Sequence, residues 1–281
     1  MPRITPRLGS TLLAVCALTG AALAGTQVGH PATGVVEDDY RLVLEDKPTN
    51  AGKVFGWGLS AWEDEFRPEV RFDGGRWKSN VDGRVGQQIG MLTLQAGTEP
   101  MTLQTTAMDH FARYGRWEAR VRTRVFDRGN APYRVFFELV PVGEYRCGAK
   151  SLVIGSYQPG RPMVEGYVRT RPNNEFHYQV DPEATTEEFH TFAIEVAPDH
   201  VTWFVDKNVI MTERRPEALS GVRYRVRFRM EGSRAPHETM NESWLQMDWV
   251  RYYTLERANA RPITAPPAQR TTYDGGCWPA S

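Results

Sequence analysis

Across residues 59–255 the chain reads as short runs in which apolar and polar positions alternate, separated by clusters of Gly, Pro, Asn and Asp. The runs at 91–94, 117–125, 135–140, 151–157, 192–196, 201–205 and 222–230 are rich in β-branched and aromatic residues. No long segment carries a 3.6-residue apolar period. Strands of this length between regularly spaced turn signals predict an all-β fold, an antiparallel β-sandwich or barrel.

The flanks read differently. Arg3 and Arg7 precede an apolar run at 12–24 that ends in Ala22-Leu23-Ala24, the layout of a secretory signal with maturation near Gly25. The run is shorter than the ~20 residues a span needs, so no stable membrane span is expected once it is removed, and the protein is expected to be secreted or in the cell envelope. Residues 25–55 form a polar arm with one alternating stretch at 40–44, readable as a leading strand or a loose arm. Residues 56–256 form the domain. Residues 257–281 are an Ala/Pro-rich tail without the apolar content to build a core. Cys147 and Cys277 remain after the signal is removed; they can pair and pin the tail or stay as thiols, since sequence gives no distance between them.

At 281 residues the chain has the length of one β domain, and 34 basic against 34 acidic residues leave no net charge. Nothing in that balance suggests capture by nucleic acid.

Six segments, in order, resemble glycoside hydrolase family 16, the laminarinase, lichenase and agarase group. Trp62-Glu63-Asp64-Glu65-Phe66 and Gly75-Arg76-Trp77-Lys78 are similar to its opening segments, and Gly90-Met91-Leu92-Thr93-Leu94-Gln95-Ala96 to its Gly-x-Leu-x-Leu-x-Ala strand. Tyr114-Gly115-Arg116-Trp117-Glu118-Ala119-Arg120-Val121 resembles the family's Tyr-Gly-Arg-Phe-Glu-Ala-Arg-Ile. The pair at 189–195 and 199–206, and the closing Met247-Asp248-Trp249-Val250-Arg251-Tyr252-Tyr253, complete the series. The resemblance implies a concanavalin A-like lectin/glucanase jelly roll with a polysaccharide or cell-wall glycan as partner.

It also implies a departure. Retaining glycoside hydrolysis needs two carboxyl groups about 5 Å apart, and the family carries them on one strand as Glu-x-Asp-x-x-Glu. The corresponding strand here is Ser151-Leu152-Val153-Ile154-Gly155-Ser156, so Ser151, Val153 and Ser156 stand where the acids are expected. Gly166-Tyr167-Val168-Arg169 lies where the family has Gly-Thr-Val-His, which supports this register; taking Glu144 as the nucleophile breaks the spacing by seven residues. Neither serine lies in a Gly-x-Ser-x-Gly elbow. Glu138 and Glu165 are the nearby acids that a displaced catalytic pair would use.

Within 222–230, alternation puts Arg223, Arg225, Arg227 and Arg229 on one strand face. With Arg169, which replaces a family His, and Lys150, they would suit carboxylate or sulfate groups on a glycan. The chain prefers Arg to Lys throughout, 29 against 5, so a solvated, Glu-neutralised sheet face is the competing reading. Trp244 and Trp57, outside the clearest strands, are candidates for sugar contact, while the other tryptophans fit core positions. The histidines form no metal-binding cluster and no cofactor is expected, apart from a structural calcium that the resemblance implies, with Asp248 as its side-chain ligand. The function expected is non-hydrolytic glycan binding; the alternatives are a hydrolase or transglycosylase with relocated acids and a structural envelope protein.

Overall fold

The computed structural model describes residues 50–67, 75–81, 84–143, 147, 149–182, 187–219, 221–257, 266–273 and 275. The signal segment, the run at 40–44 and Cys277 lie outside them.

In chain order the elements are a one-turn helix α1 (Ala51–Val54), then β1 (Trp62–Asp64), β2 (Trp77–Ser79), β3 (Val85–Gln88), β4 (Met91–Ala96), β5 (Thr102–Ala107), β6 (Gly115–Val125), β7 (Arg134–Pro141) and β8 (Ala149–Tyr157). There follow β9 (Val164–Thr170), β10 (Asn174–Val180), β11 (His190–Val196), β12 (Val201–Val205), β13 (Asn208–Glu213), a 3-10 turn (Pro216–Ala218), β14 (Tyr224–Glu231), β15 (Ser243–Tyr253) and β16 (Arg270–Thr272). All seven of the strand runs read from the alternation fall within or across these elements. The fold is an antiparallel β-sandwich.

One sheet, the β15 sheet, has the order β13-β12-β11-β6-β15-β4-β3, with β1 also paired to β15. The other, the β8 sheet, runs β16-β10-β9-β8-β7-β14-β5-β2. Alternate residues of the two sheets meet in one core that includes Trp117, Trp203, Phe176, Tyr178, Phe192 and Phe228. Such burial, at roughly 25 cal/mol per Å² of apolar surface, is the main term holding the sheets together.

Two boundaries move. The helix α1 lies inside the stretch expected as an arm, yet Ala51 is buried and Trp57 packs against Phe204 and Tyr253. The expected tail supplies β16, which pairs with β10, and Gln269 fixes its approach: its side chain accepts from the Gln179 amide and its own amide donates to His177. A short strand on a sheet edge needs a register and ladder hydrogen bonds rather than a large apolar content, so composition alone missed it. Cys147 is disulfide-bonded, with its partner outside the described residues.

Candidate functional site

The strand β8 is the centre of its sheet, and a bulge decides which way it faces. Its core-facing residues are Leu152, Ile154 and Tyr157. Simple alternation would put Ser156 on the opposite face from Ser151 and Val153. The register against β7 and β9 shifts between Val153 and Ser156, so that Ser151 pairs with Arg169, Val153 with Tyr167 and Glu138, and Ser156 with Glu165 and Phe136. The extra residue restores all three positions to the outer face, away from the core.

A bulge removes ladder hydrogen bonds, and buried carbonyls need replacements. Two core side chains supply them: Trp203 Nε1 donates to the Val153 carbonyl at 2.9 Å, and the Tyr178 hydroxyl donates to the Ile154 carbonyl at 2.9 Å. Gly155 completes the fit, since a Cβ there would lie 2.6 Å from the Phe192 ring.

Around these three positions the outer face is laid out in rows by strand register. One row reads His177, Tyr167, Val153, Glu138, Arg227, Thr106; the next reads Gln179, Glu165, Ser156, Phe136, Arg229, Gln104. A third carries Glu175, Arg169, Ser151 and, two strands further, Arg225. The stripe on β14 and Arg169 therefore share one face with Ser151, Val153 and Ser156.

The floor of that face is covered. Val153, Ser156, Glu138, Phe136, Tyr167 and His177 are buried, because arginines lie over them: the Arg229 guanidinium is 3.7 Å from the Phe136 ring centroid and that of Arg169 is 4.3 Å from Tyr167. Glu138, 1% exposed, accepts from Arg227 at 2.8 Å and Arg229 at 2.9 Å. Arg229 also pairs with Glu231. Burial works to lower the Arg229 pKa, but the Glu138 and Glu231 carboxylates outweigh it and raise it. Glu165 pairs with Arg134 at 2.8 Å and Glu175 with Arg169 at 2.5 Å.

This bears on the relocated acids. Glu138 is committed to two guanidiniums on β14, on the side away from β9, and Glu165 is committed to Arg134. Each carboxylate is thus taken up by arginine.

Three expectations are corrected. Trp244 lies on β15, in the other sheet, with its ring against Phe126 at 5.1 Å and the Arg124 guanidinium at 5.5 Å, so it does not share the arginine face. Trp57 is a core residue, 2% exposed. The Asp248 carboxylate is held by Arg120 at 2.8 Å. Calcium takes six to eight oxygen ligands; a carboxylate already paired with a guanidinium, and no cluster of three His, Cys, Asp or Glu among the described residues, do not fit that ion. Lys150 is exposed at the end of β8, donating to the Pro172 carbonyl at 3.0 Å.

Sequence reasoning missed Tyr167, Phe136 and His177 as members of the face, although Tyr167 and Phe136 lie in runs whose alternation places them beside Arg169 and Glu138. It also missed Met108 and Phe111, both partly exposed, on the turn between β5 and β6. A turn has no period from which a facing direction can be read.

Residues 155–251 match the family model for glycosyl hydrolases family 16. That match takes in 97 of the 281 residues and is a likeness to the family over that interval. The matched interval opens at Gly155, past Ser151 and Val153. Among solved structures, the Thermotoga maritima laminarinase catalytic domain is similar with a TM-score of 0.58 and 16% identity, covering 71% of this chain and 99% of that one. The Rhodothermus marinus laminarinase gives 0.57 and 16%, covering 69% and 96%. The Pyrococcus furiosus endo-β-1,3-glucanase gives 0.55 and 16%, covering 69% and 94%. At these identities the likeness is one of fold. No curated protein matches the chain.

Proposed function

We propose that this family 16-type domain binds a glycan on the outer face of the β8 sheet and does not cleave it by the two-carboxylate route, and that it works outside the cytoplasm. The observation that carries the reading is the β8 bulge: it brings Ser151, Val153 and Ser156 onto one face, and none of them is an acid. Without a nucleophile or a general acid on that strand, the chemistry of retaining hydrolysis has no agent there. Glu138 and Glu165, the nearest substitutes, are neutralised by arginines.

The solved structures of similar fold are named as laminarinases and a β-1,3-glucanase, so β-1,3-glucan is the first neutral ligand to try. The arginine covering favours a ligand that also carries negative groups, because guanidinium recognises carboxylate and sulfate bidentately. The apolar run before Ala22-Leu23-Ala24 and the disulfide at Cys147 support an oxidising, extracytoplasmic compartment.

The test is incubation of the purified protein with β-1,3-glucan, mixed-linkage glucan and acidic polysaccharides, scored for retention on the polymer and for release of reducing ends. Retention without release is expected. Release that disappears in a Glu138→Gln, Glu165→Gln variant would replace this reading with a hydrolase of relocated acids; release that survives the double substitution would place the acids elsewhere and overturn it as well.

A further inference from the structure

The arginines of the outer face are not equivalent. Arg134, Arg169, Arg227 and Arg229 each hold a carboxylate, respectively Glu165, Glu175, Glu138 and the Glu138–Glu231 pair. Arg225 holds none among the described residues. Its Nη1 reaches the Met108 sulfur at 3.3 Å, a weak acceptor, and its buried Nε has no hydrogen-bond partner among the described residues. A guanidinium has five donors in a planar fork and never loses its charge in water. Buried donors are almost always satisfied, and an exception calls for an explanation.

The surroundings specify what would satisfy it. The bridge between Ala112 and Tyr224 brings the β5–β6 turn alongside β14, so Met108, 38% exposed, touches Arg225, and Phe111, 43% exposed, lies against Arg223 two residues before it. The Arg223 guanidinium lies 4.8 Å from the Phe111 ring centroid and adds a second cation, with no carboxylate of its own among the described residues. Arg225 pairs with Val140, next to Leu139, whose partner Leu152 adjoins the short Ser151. An apolar rim beside a guanidinium that holds no carboxylate among the described residues is complementary to a sugar ring with C–H groups on one face and an acid substituent at its edge.

We infer that Arg225 is the anion-binding residue of this face and that the ligand contains an acidic sugar, a uronate or a sulfate ester, whose acid group is held by Arg225 while its ring lies along Met108 and Phe111. The inference rests on the glycan-binding reading above and narrows the ligand class.

The experiment follows the arginine Nε–H resonances of ¹⁵N-labelled protein during titration with sodium sulfate and sodium glucuronate, against sodium chloride at matched ionic strength. Affinities for hexagalacturonate and laminarihexaose are then measured in the wild type, Arg225→Gln and Arg225→Lys. Expected are a saturable shift at Arg225 with sulfate and with glucuronate, larger than at the four paired arginines, and at least a tenfold loss of hexagalacturonate affinity in Arg225→Gln. A smaller loss is expected in Arg225→Lys, and in both variants laminarihexaose affinity is expected to fall less than hexagalacturonate affinity. Because the titration uses the wild type, a folding defect in a variant cannot mask it. Absence of a saturable Arg225 shift, or equal hexagalacturonate affinity in the wild type and Arg225→Gln, would overturn the assignment. Laminarihexaose binding without any preference for hexagalacturonate would remove the acidic sugar and leave glycan binding standing. Sulfate binding with no oligosaccharide binding would remove both and leave a site for a free anion.

Discussion

Single residues on this scaffold carry charge in places that make stability depend on partners. Glu138 is the clearest case, a buried carboxylate between two guanidiniums. Removing one member of a buried ion cluster leaves the others uncompensated. Glu138→Leu is therefore expected to lower stability by about 3 kcal/mol, read as a shift in the urea midpoint, the partial exposure of both arginines keeping the loss at the low end. Glu118 gives a pH effect. It is fully buried beneath α1, accepting from the Gly52 amide at 3.1 Å. Burial pushes its pKa up to about 7, against the hydrogen bond from Gly52 and the charge of Arg251. A carboxyl whose folded pKa lies above its unfolded value favours the fold most when both states are protonated. Its contribution is thus complete below about pH 4.5 and is lost as pH rises toward 7. His190 and His200, raised by their carboxylate partners, lose stabilisation at higher pH. His110, lowered to about 4 by burial, gains it as pH rises through that range. Comparing wild type with Glu118→Gln cancels the histidines. Urea midpoints at pH 5 and pH 7.5 should fall more in the wild type than in the variant; parallel falls would show that Glu118 titrates normally.

At the scale of the element, β8 depends on its bulge and the bulge on the opposite sheet. Trp203→Phe keeps an aromatic ring but removes part of its volume and leaves the buried Val153 carbonyl without its donor, an expected loss of at least about 1–3 kcal/mol. Gly155→Ala drives a methyl into Phe192, with an expected cost of similar size. Both are measured by chemical denaturation. If the two losses are coupled, the double variant will lose less than the sum, as expected of groups that hold one backbone shift. The alternation of β14 was legible in the sequence because a strand has period two. The facing of Ser156 came from the family resemblance and not from alternation, because one extra residue inverts every later position.

For the whole molecule, the disulfide at Cys147 constrains the unfolded chain, and reduction is expected to lower stability by about 2–4 kcal/mol. Thermal unfolding with and without a thiol reductant checks this; equal midpoints would mean the bond contributes nothing. The sequence by itself determined the class of fold and the side chains at 151, 153 and 156: local alternation and turn residues suffice for strands, and the identity of three residues needs no coordinates. Only the tertiary structure decided what those positions face. It sent Trp244 to the other sheet, sank Trp57 into the core, gave Asp248 to Arg120 and drew β16 from the tail into the β8 sheet. Above all it separated one arginine from its neighbours: pairing depends on which strands lie side by side, and strand order is a long-range property that residue spacing along the chain does not encode.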